Sequence, residues 1–148
     1  MIHFYKYQGT GNDFVMIDAR QNDPRLSQEQ IAWLCHRRFG IGADGLILLK
    51  NHPDYDFQMV YYNSDGREST MCGNGGRCLV AFAARLGVIQ DKAHFIAIDG
   101  PHHATFDAAT GWVSLQMNAS ERIEAHGSDC VLDTGSPHYV QFVPDVEA

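Results

Sequence analysis

The stretch ESTMCGNGGRC, residues 68–78, runs straight into the apolar Leu79-Val80-Ala81-Phe82-Ala83-Ala84 and ends at Leu86-Gly87. Glycines crowd its start, apolar side chains fill its body and a glycine closes it. That order predicts a helix from about Gly73 to Leu86 with Gly87 as its C-terminal cap. Cys72 then stands at the N-cap, where backbone N–H groups lack partners and the helix dipole favours negative charge. A thiol in such a place ionises more readily than its free pKa of about 8.5 suggests. Gly73, Asn74, Gly75 and Gly76 leave the N–H groups uncovered, so a carboxylate can dock beside the sulfur. One turn thus offers both a base and an anion hole. A partly buried cysteine in a glycine-rich loop is the plainer alternative, and spacing alone leaves it open.

Outward from this helix the pattern alternates strands and turns. IHFYKYQ (2–8) and DFVMID (13–18) read as strands joined by the turn GTGN. DPRLSQEQIAWLCHRRFGIG (23–42) reads as a helix with Ser27 as N-cap and Gln30 three residues on. Ile31, Leu34 and Cys35 share its apolar face, Arg37 and Arg38 occupy the last turn, and Gly40 stops it. GLILLK (45–50) and DFQMVYYN (56–63) are further strands, with a turn at Pro53-Asp54 between them. AHFIAID, HATFD and WVSLQMN complete an antiparallel meander with turns at Gly100-Pro101 and Thr110-Gly111. The fold class expected is α+β, helices set against a largely antiparallel sheet.

With 148 residues the chain can bury a real core in one domain and is too short for two ordinary ones. The net charge of -7 and the lack of a clustered basic stripe argue against a nucleic-acid partner. Nearly all the positive charge lies in residues 1–100, whereas residues 101–148 hold one basic side chain, Arg122, against seven acidic ones. The composition therefore changes near residue 100. No run approaches the ~20 apolar residues of a membrane helix, and no cationic leader opens the chain, so a cytoplasmic protein with no membrane partner is expected. Cys35, Cys72, Cys78 and Cys130 are irregularly spaced, which favours free thiols.

Several other groupings invite a chemical reading. Gly40, Gly42 and Gly45 satisfy the spacing of a dinucleotide fingerprint, but they follow a helix and open a strand, the reverse of what a pyrophosphate site needs. No C-x-x-C pair exists and five residues separate Cys72 from Cys78, so no metal site is expected. His102-His103 reads as surface turn chemistry, Cys35 and Cys78 as core, and Cys130 as part of an irregular segment. Asn12, Asn63, Asn74, Ser136 and His138 all stand on turns at element ends. If those turns converge they make a neutral, hydrogen-bonding pocket suited to a zwitterion.

In order, YQGTGNDFVMID, RRFGIGADGLI, YYNSDGRESTMCGNGGRC and DTGSPHYV resemble the N-terminal motifs of the diaminopimelate epimerase family. The resemblance spans residues 7–140, and the cysteine motif is its most specific part. It implies an isomerase that interconverts LL- and meso-diaminopimelate without pyridoxal phosphate or any other cofactor, on the route to lysine and cell-wall peptide. The implied fold is a mixed sheet wrapped around a central helix, repeated in two domains that close on the substrate.

Carried over by position, Cys72 looks like one of two catalytic cysteines and His138 like the histidine that tunes the pair. Gly73 and Asn74 look like donors to the substrate carboxylate, and Asn12 and Asn63 like substrate contacts. Gly45 and Ser136 fall at two further contact positions, where other members carry Gln and Asn. Nothing here resembles the family's second cysteine motif. Residues 1–117 are therefore expected to form the first domain and 118–148 the opening of the second, with little epimerase activity in the chain alone. A bolder expectation is a homodimer that sets Cys72 opposite its mate. The rival readings are a related proline or hydroxyproline racemase, a phenazine-pathway isomerase, and a non-enzymatic module that binds amino-acid-like anions.

Overall fold

A computed structural model of the chain describes residues 2–120, 123–134 and 136–146. Two compact units divide it, Met1–Gln116 and Met117–Ala148. The first holds β1 (Tyr5–Gly9), β2 (Asn12–Asp18), α1 (Gln28–Cys35), β3 (Gly45–Lys50), β4 (Gln58–Asn63), α2 (Gly73–Arg85), β5 (Lys92–Ala97), β6 (Gly100–Asp107) and β7 (Trp112–Leu115). These seven strands form one sheet in sequence order. Neighbours run antiparallel except at β2–β3 and β4–β5, which are parallel. A parallel pair needs a crossover long enough to carry a helix, and α1 and α2 are those crossovers. The sheet is therefore mixed.

Each helix covers one face. Side chains alternate across a strand, so β2 sends Phe14 and Met16 to the α2 side and Val15 and Ile17 to the α1 side. Ile47 and Leu49 of β3 join the α2 side, Leu46 and Leu48 the other. This explains why GLILLK is a continuous apolar run, as a strand buried on both faces should be. α2 lies against β1, β2, β3, β4, β6 and β7, so the sheet curls around it. Its buried face carries Gly75, Gly76, Cys78, Leu79, Val80, Phe82 and Ala83. A Cβ on Gly75 would lie 2.8 Å from Ile47 Cδ1, and one on Gly76 would lie 2.6 Å from Met71 Cε. Those glycines let the helix start approach the sheet closely, in addition to leaving its N–H groups open.

Four details depart from the expected pattern. α1 starts at the capping box of Ser27 and Gln30 as expected, but it ends at Cys35, before Arg37 and Arg38. The His36 ring takes over there, its Nδ1 accepting the backbone N–H groups of Arg38 and Phe39. The β5–β6 turn is Ile98-Asp99, because Ala97 pairs with Gly100 and Ile96 with Pro101. His102 is buried in β6, not on a surface turn; its ring lies 2.9 Å from the Asp99 carboxylate and 3.0 Å from the Gln116 carbonyl. Cys130 belongs to a regular strand.

The second unit is a three-stranded antiparallel sheet of β8 (Ile123–His126), β9 (Asp129–Asp133) and β10 (Pro137–Val140), in the order β10-β9-β8. No helix among the described residues is long and apolar enough to cross a membrane.

Candidate active site

Sheet register brings the expected residues of the first unit to one end. Phe14 pairs with Gly45, and Gly45 with Asn63. The first residues of β2 and β3 thus lie beside the last of β4. β2 opens at Asn12 and α2 at Gly73.

Cys72 is the N-cap of α2, in extended backbone conformation, and is half-buried. Its Sγ accepts the Gly75 N–H at 3.5 Å and donates to Asn12 Oδ1 at 3.6 Å. The first N–H groups of the helix, on Gly73 and Asn74, have no intrahelical acceptor. Asn74 Nδ2 donates to Asn12 Oδ1 at 3.4 Å, and Arg77 donates to Asn74 Oδ1. On its other side Asn12 Nδ2 donates to Asp44 Oδ2 at 2.9 Å. The structure therefore brings Cys72, Asn12, Asn74 and the open turn at Gly73 into one cluster. Asn63 is exposed at the end of β4, its backbone closing the turn with Gly66 and Arg67.

Gly45 takes a different part from the one expected. It is buried, and a Cβ there would lie 2.5 Å from both Tyr61 Cε2 and the Tyr62 carbonyl oxygen. The Tyr61 ring fills the space a side chain would need, so Gly45 is a packing position and offers a ligand no side-chain group. Ser136 and His138 belong to the second unit. There His138 Nδ1 lies 2.7 Å from the Ser136 carbonyl oxygen and 3.4 Å from Thr134 Oγ1. Gly135 of the same motif lies outside the described residues.

Three contributors gave no local sign. Arg37 bridges Asp13 at 2.8 Å and Asp44 at 2.7 Å, and so ties the α1–β3 loop to the start of β2. Arg37 and Lys6 hold the Asp13 carboxyl far below the usual carboxylate range. Asp44 is lowered as well, first by the Asn12 hydrogen bond and also by Arg37. Tyr61 packs edge-on against Phe14 at 5.8 Å, and burial pushes its hydroxyl up to about 12. Among the described residues no group of three or more His, Cys, Asp or Glu could hold a metal ion.

Burial separates the other thiols of this unit from Cys72. Cys35 and Cys78 are each pushed from 9.0 up to about 11, with desolvation the largest cause. A raised folded-state value means stability that is whole below the unfolded value and lost as pH rises through the folded one. The urea midpoint should accordingly hold steady up to about pH 9 and fall between about pH 9 and 11. Cys78→Ala, measured over the same range, should flatten part of that fall. An unchanged slope would show that Cys78 does not contribute to it.

The diaminopimelate epimerase family model matches residues 4–123. The diaminopimelate epimerase of Flavobacterium psychrophilum is 60% identical over 143 residues, 96% of this chain and 56% of that protein. The enzyme of the same name from Chlorobaculum tepidum is 42% identical, over 94% of this chain and 56% of its own. The chain spans about half the length of these curated relatives. Among solved structures, a hydroxyproline epimerase from Agrobacterium vitis with bound trans-4-hydroxy-L-proline superposes with a TM-score of 0.62 at 14% identity, covering 92% of this chain and 50% of that one. A methylitaconate-delta-isomerase superposes with a TM-score of 0.60 at 13% identity, over 89% of this chain and 41% of that one. At such identities these two show a shared fold. The family match over residues 4–123, most of the sequence, shows that this chain belongs to the diaminopimelate epimerase family.

Proposed function

We propose that this chain supplies the Cys72 half of a cofactor-independent diaminopimelate epimerase, acting in the cytoplasm on the route to lysine. What carries the reading is the placement of Cys72 Sγ at the N-cap of α2, hydrogen-bonded to Asn12 and beside the open N–H groups of Gly73 and Asn74.

The α-hydrogen of an amino acid is weakly acidic, so removing it takes a base and strong stabilisation of the carbanion-like charge. A carboxylate seated on the Gly73 and Asn74 N–H groups puts that developing charge at the positive end of the helix dipole. Cys72 Sγ then exchanges a proton with the α-carbon on one face. Asn12, Asn63 and Asn74 supply neutral polar groups for the rest of the zwitterion.

Inversion needs a second acid–base group on the opposite face. Cys35 and Cys78 are buried and pushed up to about 11, which disqualifies both. Cys130 sits in a β-strand without a helix start. The family resemblance implies that the partner thiol comes from a second glycine-rich helix start, in the portion of the relatives that this chain does not span. Residues 1–117 act as the first domain and 118–148 as the opening of the second.

Alkylation by iodoacetamide at neutral pH, read for each cysteine by mass spectrometry with and without diaminopimelate, tests this. Cys72 should label well ahead of Cys35 and Cys78, and diaminopimelate should protect it. Protection by proline but not by diaminopimelate would move the substrate to the cyclic amino acids, and protection by neither would overturn the reading. Racemisation that rises with protein concentration and vanishes in Cys72→Ala would mark a homodimer that sets two copies of Cys72 face to face.

A further inference from the structure

A carboxylate accepts hydrogen bonds and cannot donate them, and a guanidinium donates and cannot accept. These two facts orient both amides beside Cys72 without reference to their shape, which does not distinguish oxygen from nitrogen. Asp44 Oδ2 lies 2.9 Å from the Asn12 amide, so the end of Asn12 facing it must be the amino group. The Asn12 carbonyl is thereby turned toward Cys72 Sγ and Asn74 Nδ2. From the far side the Arg77 guanidinium claims Asn74 Oδ1, so the Asn74 amino group points back at Asn12. Arg37, 2.7 Å from Asp44 Oδ1, holds the other end of the row. Each group from Arg77 through Asn74 and Asn12 donates to the next and the row ends on Asp44, which Arg37 meets from the other side; the sulfur sits beside Asn12.

We infer that Asp44 is a positioning residue for Cys72: by fixing the Asn12 amide it presents the sulfur with an acceptor, so that the Sγ–H proton is held toward Asn12 Oδ1. Asp44 remains a carboxylate that can do this because Asn12 and Arg37 both favour its charged form. The meaning for catalysis rests on the epimerase reading. In it, the oriented S–H group serves as the acid that reprotonates the α-carbon. In that step the S–H bond breaks, its electron pair stays on sulfur, and the proton forms the new Cα–H bond. The opposite amide orientation would aim Nδ2–H at sulfur and support the thiolate instead, and Asp44 excludes it.

The test uses the full chain and alkylation of Cys72 by iodoacetamide at neutral pH, with no amino-acid ligand present, so it stands or falls apart from substrate identity. In Asp44→Asn the neighbour can donate as well as accept, and Asn12 is free to turn its amino group to the sulfur. Cys72 should then label about tenfold faster, the gain expected when a hydrogen bond to a charged group becomes available. Loss of the Asp44 charge alone would also speed labelling, and the Asn12→Ala background separates the two causes. There the Asp44→Asn gain should shrink to about twofold or less, since the coupling between contacting residues is lost with one of them. An equal gain in both backgrounds overturns the inference. Cys35 and Cys78 report folding, because both stay unlabelled while the core is intact. If they label in Asp44→Asn, the unmutated protein decides by NMR. The Asn12 Hδ2 protons should show their stronger cross-relaxation to the Asp44 Hβ protons, and a stronger signal to Cys72 Hβ overturns the inference.

Discussion

Phe82→Ala is expected to lower the free energy of unfolding by about 3–5 kcal/mol, the range for removing a large aromatic from a closed core. Phe82 is wholly buried on the sheet-facing side of α2. Its ring lies 5.0 Å from that of Tyr5 and 5.7 Å from that of Tyr7, alternate residues of β1 whose side chains share a face. β1 is an edge strand, and β2 is its neighbour in the sheet. Packing of Tyr5 and Tyr7 on Phe82 therefore helps seat β1 on the helix. Collapse into the cavity would require β1 to leave its register with β2, so relaxation can recover little of the loss. The urea midpoint should fall with an unchanged slope, the sign of lost stability without a change in the surface exposed. A second readout lies at the site. β1 ends at Gly9, where a Cβ would sit 3.3 Å from the Asn74 carbonyl oxygen and 3.4 Å from Cys78 Sγ, and Thr10 Oγ1 donates to Asn74 Oδ1. Loosening β1 should open Cys78 to iodoacetamide. A loss below about 1 kcal/mol, or a Cys78 that stays closed, would mean that β1 is held by its ladder with β2 and not by the helix.

The helix starts were legible because the chemistry that fixes them is local. A serine with a glutamine three residues on caps α1 with the expected box, and a cysteine before glycines caps α2. The end of α1 was not legible, since it depends on how the His36 ring folds back onto two backbone N–H groups. At the β5–β6 turn the strong punctuation of Gly100-Pro101 misled. Gly100, at φ 116°, is the first residue of β6, and the two turn residues are the less conspicuous Ile98 and Asp99. Within the site, Asn12, Asn74 and Cys72 stand on turns at element ends, where polar residues call attention to themselves. Asp44 and Arg37 do not. Asp44 reaches Asn12 across 32 positions, and Arg37 reaches Asp13 across 24. Only the parallel pairing of β2 with β3 brings those residues together, and no local periodicity announces it. The packing role of Gly45 was hidden for the same reason, because its neighbour Tyr61 comes from β4.

Gly40→Ala should cost about 3 kcal/mol or more and should disturb the site from a distance. A Cβ on Gly40 would lie 2.0 Å from the Trp33 carbonyl oxygen and 2.6 Å from that of Leu34. Both are backbone atoms of the last turn of α1 and cannot swing aside as a side-chain tip can. Gly40 does not have a positive φ, so the penalty is steric contact and not backbone conformation. The loop carrying Gly40 is also what satisfies the end of the helix. The Gly40 N–H donates to His36 O, those of Ile41 and Gly42 to Leu34 O, and that of Ala43 to Cys35 O, at 2.8–3.1 Å. A methyl group at position 40 must lift this loop, leaving half-buried carbonyls without partners at about 1 kcal/mol or more each. The same loop links Arg37 to Asp44, so lifting it also releases the Asn12 amide. Two changes in labelling should therefore appear together in Gly40→Ala: Cys35 becomes reactive as its cover opens, and Cys72 speeds up as it does in Asp44→Asn. Reactive Cys35 with an unchanged Cys72 would mean that the loop protects the core without orienting the site. A variant as stable as the unmutated protein would mean that the α1–β3 loop can retreat from the helix end without losing its hydrogen bonds.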